Sequence, residues 1–357
     1  MLAPWALCVL LSGCSAIADL DFTTQPADGG AATGDGDGDG DGDGDGDGDG
    51  DGDGDGDGDG DGDGDGDGVM DAAVPDAGVP DADTPDADVS DAGMGDAVLR
   101  VATWNLKVFG PTKAGRPEIV AEMVDIIRRY DLIGLQELKD INEQAPFVLI
   151  DAVNAAPGPS YAMVLSVRTG LQPDDTSNSD EQYAFMYRTD VLRQLAPADT
   201  VYPDDAMDYF QREPHAARFE TLDGSFDFTA MNSHVPPSLA LEEVGALHFA
   251  VEWARAAYAD DDIILLADLN ADCDYATSME LDALQLRTGP YQWIVPDDAD
   301  TNVTDGSACA YDRIILTDEA VTTFGPTAMD IVWGVDDSFI DTGISNHWPV
   351  WAELNLE

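Results

Sequence analysis

"DIILLADLNAD", residues 262–272, is an apolar run that stops abruptly in polar side chains. Ile263 to Ala267 are uninterrupted hydrophobes, and Asp268 and Asn270 follow at once. A short continuous apolar run of this kind reads as a strand buried on both faces. Polar residues directly beyond such a strand lie at one rim of a sheet, where open α/β sheets place ligands. The same form recurs along the chain. "AVLRVATWNLKVFG" (97–110) alternates apolar residues up to Asn105, and "DLIGLQELKD" (131–140) closes on Gln136 and Glu137. "SFDFTAMNSH" (225–234) ends in His234, and "GISNHWPVW" (343–351) sets Asn346 and His347 before a final strand.

Between these strands the apolar period changes. "RPEIVAEMVDIIRRY" (116–130) places Ile119, Val120, Met123, Val124 and Ile127 at helical spacing, and "LALEEVGALHFAVEWARAAYA" (239–259) reads as a long amphipathic helix. "QYAFMYR" (182–188), "YDRIIL" (311–316) and "WPVWAEL" (348–354) add strands. Strands and helices alternate in part, with strand pairs between, which predicts an α/β fold with more than one sheet.

The 357 residues are of two kinds. Residues 1–98 contain neither Lys, Arg nor Glu; of the net charge of −58, −28 lies there and −30 on the 259 residues from 99 onward. The second part is long enough for one large core. Its acidity repels nucleic acid and anionic membrane at long range, so a phosphate substrate needs local Arg and divalent cations. The first 14 residues read as a leader: Leu2 to Leu11 is too short to span a bilayer, and Leu11-Ser12-Gly13-Cys14 resembles a bacterial lipobox, with Cys14 the residue to be lipidated. Plain cleavage and secretion is the alternative, and both export the chain and permit disulfides. An unbroken Asp-Gly repeat (35–68) and a Pro-Asp-Ala segment then form an acidic, disordered tether over 15–98, with calcium binding by the repeat as the alternative role. Residues 99–357 are the expected catalytic domain.

Each polar strand end alone could be a turn, since Asn and Asp are turn formers; four together point to a site. Their Asn and carboxylate oxygens suit a hard cation such as magnesium, manganese or calcium. Of the four histidines, His234 and His347 sit at strand ends and supply a base and an acid near neutral pH. Glu181 and Asp312 are the candidate carboxylates to orient them. His215, after Pro214, and His248, inside the long helix, read as structural.

One further stretch is more specific than any of these patterns. "LADLNADCDYATSMELDALQLRTGPYQWIVPDDADTNVTDGSACAYDRIIL" (266–316), together with "NLKVFGPTK", "IIRRYDLIGLQELKD", "EQYAFMYR", "YFQREP" and "ISNHWPV", resembles the deoxyribonuclease I-like proteins of the endonuclease/exonuclease/phosphatase superfamily. The resemblance implies a four-layer α/β/β/α sandwich over 99–357. It implies that Glu137 binds the catalytic Mg2+ or Mn2+, with Asn105, Asp268, Asn270 and Asn346 around the metal and phosphate. It implies that His234 pairs with Glu181 and His347 with Asp312, one histidine taking the water proton and the other protonating the leaving 3′ oxygen. Arg212 and Tyr311 would hold a phosphate, and Lys107 and Lys139 would contact DNA. Cys273 and Cys309 match the family's disulfide. Structural Ca2+ is implied at Asp205, Asp208, Phe210 and Glu213, and at Asp300 and Thr304.

Two residues depart from the pattern. Asn346 stands where the family's Ser-Asp-His has aspartate, and Ser179 where an aromatic enters the minor groove. The readings are therefore three: a lipid-anchored, monomeric endonuclease cutting double-stranded DNA to 5′-phosphate and 3′-hydroxyl ends; a phosphodiesterase or phosphatase acting on a lipid or nucleotide; and a weakened calcium-binding surface module. The disulfide loop and Arg212 speak against the second. Two complete histidine–carboxylate pairs speak against the third.

Overall fold

The structure, a computed structural model, describes residues 98–170, 180–196, 200–203, 207–303, 308–330 and 343–356. The leader with Cys14, the tether up to residue 97, Ser179, Asp205 and Thr304 lie outside the described residues.

Thirteen strands are described: β1 (Val98–Phe109), β2 (Leu132–Leu138), β3 (Tyr161–Leu165), β4 (Gln182–Arg188), β5 (Leu192–Gln194), β6 (Thr200–Val201), β7 (His215–Thr221), β8 (Asp227–His234), β9 (Ile263–Asp268), β10 (Tyr291–Trp293), β11 (Asp312–Thr317), β12 (Pro326–Asp330) and β13 (Val350–Asn355). One sheet runs β12-β13-β1-β2-β4-β3 and the other β10-β11-β9-β8-β7-β5, with β6 paired to β7. The strand Pro326–Asp330 had no signature in the sequence. β1 also runs four residues past Asn105, because its pairing with β2 shifts register between Asn105 and Phe109 and then resumes.

Period-two alternation sorts the core. On β1, Leu99 and Val101 face the other sheet and join Phe185, Phe219, Phe228, Ile264, Leu266 and Ile314 in the inter-sheet core. Ala102, Trp104 and Leu106 point the other way, onto the buried face of α2 (Pro117–Ile127), which follows the short α1 (Pro111–Ala114), and onto α3 (Ala145–Ala155). The second sheet is covered by α4 (Ala240–Tyr258), whose Leu247, Ala250, Val251 and Ala254 pack on Met231, Ile263 and Leu265. The layers are thus α/β/β/α. β9, buried at every position, lies between β8 and β11 at the centre of its sheet. Among the described residues no helix is long and apolar enough to cross a membrane.

The two sheets are also joined by a buried polar bridge. Gln136 Nε2 donates to Thr103 Oγ1 (2.9 Å) and to Asn232 Oδ1 (2.7 Å). Asn232 Nδ2 in turn donates to the carbonyls of Leu135 (3.1 Å) and Ala184 (3.2 Å). A bridge of this sort in a low-dielectric core specifies sheet register as well as stabilising it.

Candidate active site

Topology brings the polar strand ends to one rim. β1, β2, β8 and β9 end there, and their antiparallel neighbours β4, β11 and β13 begin there. Register does the rest. His234 on β8 and Asp312 on β11 both stand opposite Asp268 on β9, one on each side.

Both histidines converge on that aspartate. His234 Nδ1 donates to Glu181 Oε1 at 2.9 Å, and its Nε2 lies 3.6 Å from Asp268 Oδ2. His347 Nδ1 donates to Asp312 Oδ2 at 2.8 Å, and its Nε2 lies 3.7 Å from the same Asp268 oxygen. Each imidazole therefore has an orienting carboxylate behind it and presents Nε2 forward. Burial works against a proton on His347, but Asp312 and Asp268 outweigh it and hold the ring up at about 9. The His234 amide donates to the Tyr183 hydroxyl at 3.1 Å, a fixing contact the sequence reading missed.

Beside the histidines lies a set of oxygens. Asn105 Nδ2 donates to Glu137 Oε1 (2.9 Å) and to Asp268 Oδ2 (2.8 Å), so one amide bridges two carboxylates. Burial would raise the Glu137 carboxyl; the charges on His234 and Lys139 and the hydrogen bonds from Asn105 and the Val108 amide overcome it, and Glu137 sits at about 2. Asn346 Oδ1 is buried and has no hydrogen-bond partner. Two carboxylates bridged by one amide and an amide oxygen left over make a donor set that fits a hard divalent cation. A second grouping of ligand atoms, Asp268, Asp312 and His347, falls within 4.8 Å. There His347 Nδ1 is bonded to Asp312 Oδ2, and an ion would take up the His347 Nε2 that faces the cleft, whereas Glu137 and Asn346 offer oxygens without occupying a histidine. The Glu137–Asp268–Asn105–Asn346 side could therefore hold a cation without disturbing either histidine–carboxylate pair.

The backbone is strained where it makes these contacts. Lys107, Val108, Glu137 and Asn270 have φ of 45°, 54°, 59° and 47°. For β-branched Val108 the left-handed region is a true outlier, of a kind that costs on the order of 1–3 kcal/mol and clusters at functional sites. The Lys107 amide donates to Asn105 Oδ1 (2.8 Å), and Asn270 Nδ2 donates to the Val235 carbonyl (3.0 Å).

These groups line a cleft of about 450 Å3, which Lys139, Arg212, Tyr275, Tyr311 and Asn302 also reach. Arg212 is 5% exposed, donates from Nε to the His234 carbonyl (3.2 Å) and lies 3.7 Å from Glu181 Oε2. The Tyr311 ring stands 6.3 Å from that of His347 and 5.9 Å from that of Tyr275. Lys107 is exposed on the strained turn. Cys273 and Cys309 form a disulfide behind Tyr311. His215 is buried and stacks on Phe185, and His248 Nδ1 donates to the Gly245 carbonyl, so both are structural.

Of the implied calcium ligands, Asp208 is exposed, Phe210 is buried against Tyr202, and Glu213 follows Arg212 on the same loop. Asp300 Oδ1 accepts the Asn302 amide at 3.3 Å. The described residues form no three-ligand cluster at either place.

Glu243 on α4 was not anticipated. It is 2% exposed; Oε1 accepts the Gln211 amide at 2.9 Å and Oε2 has no hydrogen-bond partner. Burial pushes its carboxyl up to about 7, against the Gln211 bond and the charges of Arg212 and His234. The folded chain thus binds this proton more tightly than the unfolded chain does. The resulting stabilisation is full below the ordinary value of 4.5 and lost as pH rises through about 7. Glu243→Gln is expected to be more stable than wild type at pH 8 by up to about 3 kcal/mol, the gap closing toward about pH 4.5. Thermal melts across that range check this; a gap that does not change with pH would refute it.

Residues 102–345 match the Endonuclease/Exonuclease/phosphatase family. Deoxyribonuclease-1 of Oryctolagus cuniculus is 32% identical over 269 residues, covering 72% of this chain and 92% of the relative. Deoxyribonuclease-1 of Rattus norvegicus is 33% identical over 269 residues, with 72% and 91% covered. Among solved structures, the human Nocturnin catalytic domain with bound sulfate superposes with a TM-score of 0.53 at 11% identity, over 73% of this chain and 94% of that one. An endonuclease/exonuclease/phosphatase of Bacteroides vulgatus gives 0.51 at 16% identity, over 73% and 100%. Both of these bear on the fold alone.

Proposed function

The chain belongs to the endonuclease/exonuclease/phosphatase family, on its deoxyribonuclease I-like side, and from that we propose that it is a divalent-cation-dependent endonuclease of double-stranded DNA with low sequence specificity. The observation that carries the reading is the pair of oriented histidines facing one aspartate oxygen, beside a bridged carboxylate pair.

In this reading Glu137, Asp268, Asn105 and Asn346 hold Mg2+ or Mn2+, which supplies Lewis-acid stabilisation of charge on the phosphate. Arg212 and Tyr311 bind phosphate oxygens, the guanidinium offering a planar fork. Asn270, which lines the cleft, serves the same phosphate. One histidine removes a proton from water while its Glu181 or Asp312 partner stabilises the imidazolium; the other protonates the leaving 3′ oxygen. A 5′-phosphate and a 3′-hydroxyl result. Lys107 and Lys139 contact the DNA at its groove. Ca2+ at the Asp205–Glu213 loop and at Asp300 with Thr304 holds loops in place. The protein acts as a monomer, exported and held to the envelope through Cys14 by the acidic tether.

Nicking of supercoiled plasmid by the full-length chain, with Mg2+ and Ca2+, tests this. Turnover of a phospholipid or nucleotide substrate with DNA left intact would overturn the DNA assignment. Asn346→Asp adds one negative charge to the oxygen set and is expected to lower the Mg2+ concentration for half-maximal nicking about 3- to 10-fold. An unchanged Mg2+ dependence would remove Asn346 from the cation shell.

A further inference from the structure

At the edge of the site three backbone carbonyls converge on one ammonium. Lys113 Nζ donates to the carbonyls of Leu106 (2.8 Å), Lys107 (2.6 Å) and Ile344 (2.9 Å). Lys113 lies on a four-residue helix, Pro111–Ala114, just beyond β1. The first two carbonyls follow Asn105; the third precedes Ser345, Asn346 and His347.

The carbonyls need such a partner for a local reason. Lys107 and Val108 are left-handed, and the β1–β2 register is interrupted between Asn105 and Phe109. An ammonium has three donors and no acceptor, which matches three carbonyls. Burial pulls the Lys113 ammonium down to about 8, the charge on Glu137 acting against that fall. Arg128 makes a comparable clamp on Val153, Pro157 and Pro159, in a segment that carries no candidate site residue, so clamping alone implies no role in function. What sets Lys113 apart is the identity of the two segments it joins. One carries Asn105 and the strained turn that donates to Glu137; the other carries Asn346 and His347. Two neutral bonds run beside it: Ser345 Oγ donates to the Asn105 carbonyl (2.6 Å) and Trp104 Nε1 to the His347 carbonyl (2.9 Å).

We infer that Lys113 is a positioning residue that sets the spacing between the Asn105–Glu137 oxygens and the Asn346–His347 turn, and so both cation affinity and turnover. The inference rests on the roles given to those residues above. It differs from a plain folding role in what it moves: a displaced site loses kcat and metal affinity, and KM changes little, because Lys113 does not line the cleft.

The test uses the full-length chain with Lys113→Met, Lys113→Gln and Lys113→Arg. Mn2+ binding is measured by calorimetry, and kcat and KM by plasmid nicking. Lys113→Met is expected to lower kcat about 10- to 100-fold with KM within about 2-fold, and to weaken Mn2+ about 10-fold. Lys113→Arg, which keeps charge and several donors, is expected to recover most of both. A Lys113→Met protein with a native circular dichroism spectrum and both quantities within about 2-fold of wild type overturns the inference. If the Met variant does not fold, Gln and Arg decide: Arg above Gln in kcat by about 5-fold or more at equal KM supports it, and equal values overturn it. If wild type binds Mn2+ but nicks no DNA, the nuclease reading fails by itself, and the Mn2+ measurements still judge Lys113.

Discussion

His234→Ala is expected to slow plasmid nicking by about 10³-fold, within the 10²- to 10⁴-fold span of general acid–base groups. The geometry argues for the upper part of that span. His234 is buried, fixed through Nδ1 by Glu181 and through its amide by the Tyr183 hydroxyl, and its Nε2 faces the reacting cleft. Alanine removes the proton carrier and also leaves Glu181, fully buried, without its imidazole partner, although Arg212 stays 3.7 Å away. His347→Ala should cost a similar factor for the parallel reason at Asp312. Because the two histidines serve one displacement, the double variant should be only slightly slower than either single one. Initial rates with the three variants at fixed Mg2+ check this. A single variant within about 5-fold of wild type, or losses that multiply, would break the paired acid–base assignment.

The second large effect is on stability. Replacing both Cys273 and Cys309 with serine should cost about 4 kcal/mol on the chain-entropy account of a cross-link with sequence separation 36. For a domain of this size that is a fall in Tm of about 10 °C. The Cα–Cα distance of 5.8 Å is ordinary for a disulfide, and Cys309 is fully buried. The bridge also has a local consequence. It joins the loop after Asn270 to the entry of β11, where Asp272 accepts the Ala310 amide (2.7 Å) and the Leu269 amide donates to the Tyr311 carbonyl (2.8 Å). Nicking should therefore fall on reduction at temperatures below the new melting point. A Tm loss under about 3 °C would mean that those backbone bonds already restrain the loop without the bridge.

Much of the site was legible because strands announce their ends. Asn105, Glu137, His234, Asp268 and Asn346 each interrupt or flank an apolar run, and a buried strand tolerates such residues only where it reaches the rim. Lys113 and Glu243 were not legible. Lys113 acts on backbone carbonyls, which every residue has, and on a turn whose left-handed φ falls on Lys107 and Val108, residue types that give no warning of it. Glu243 stands beside Glu242 on an amphipathic helix and reads as part of a solvated face; the loop carrying Gln211 and Arg212 folds over it and buries it.

By itself the sequence determined the alternation of strand and helix, the acidic composition of the first 98 residues and the residue types at the rim, because periodicity, charge and turn chemistry are local properties. Only the tertiary structure decided which of those residues meet. His234 and Asp312 flank Asp268 because β8 and β11 pair with β9 in a particular register, and a slip of one residue would turn each side chain to the opposite face of the sheet. Glu181 and His347 come from strand ends in the other sheet, and they reach this centre because apolar residues of both sheets close into one core beneath it.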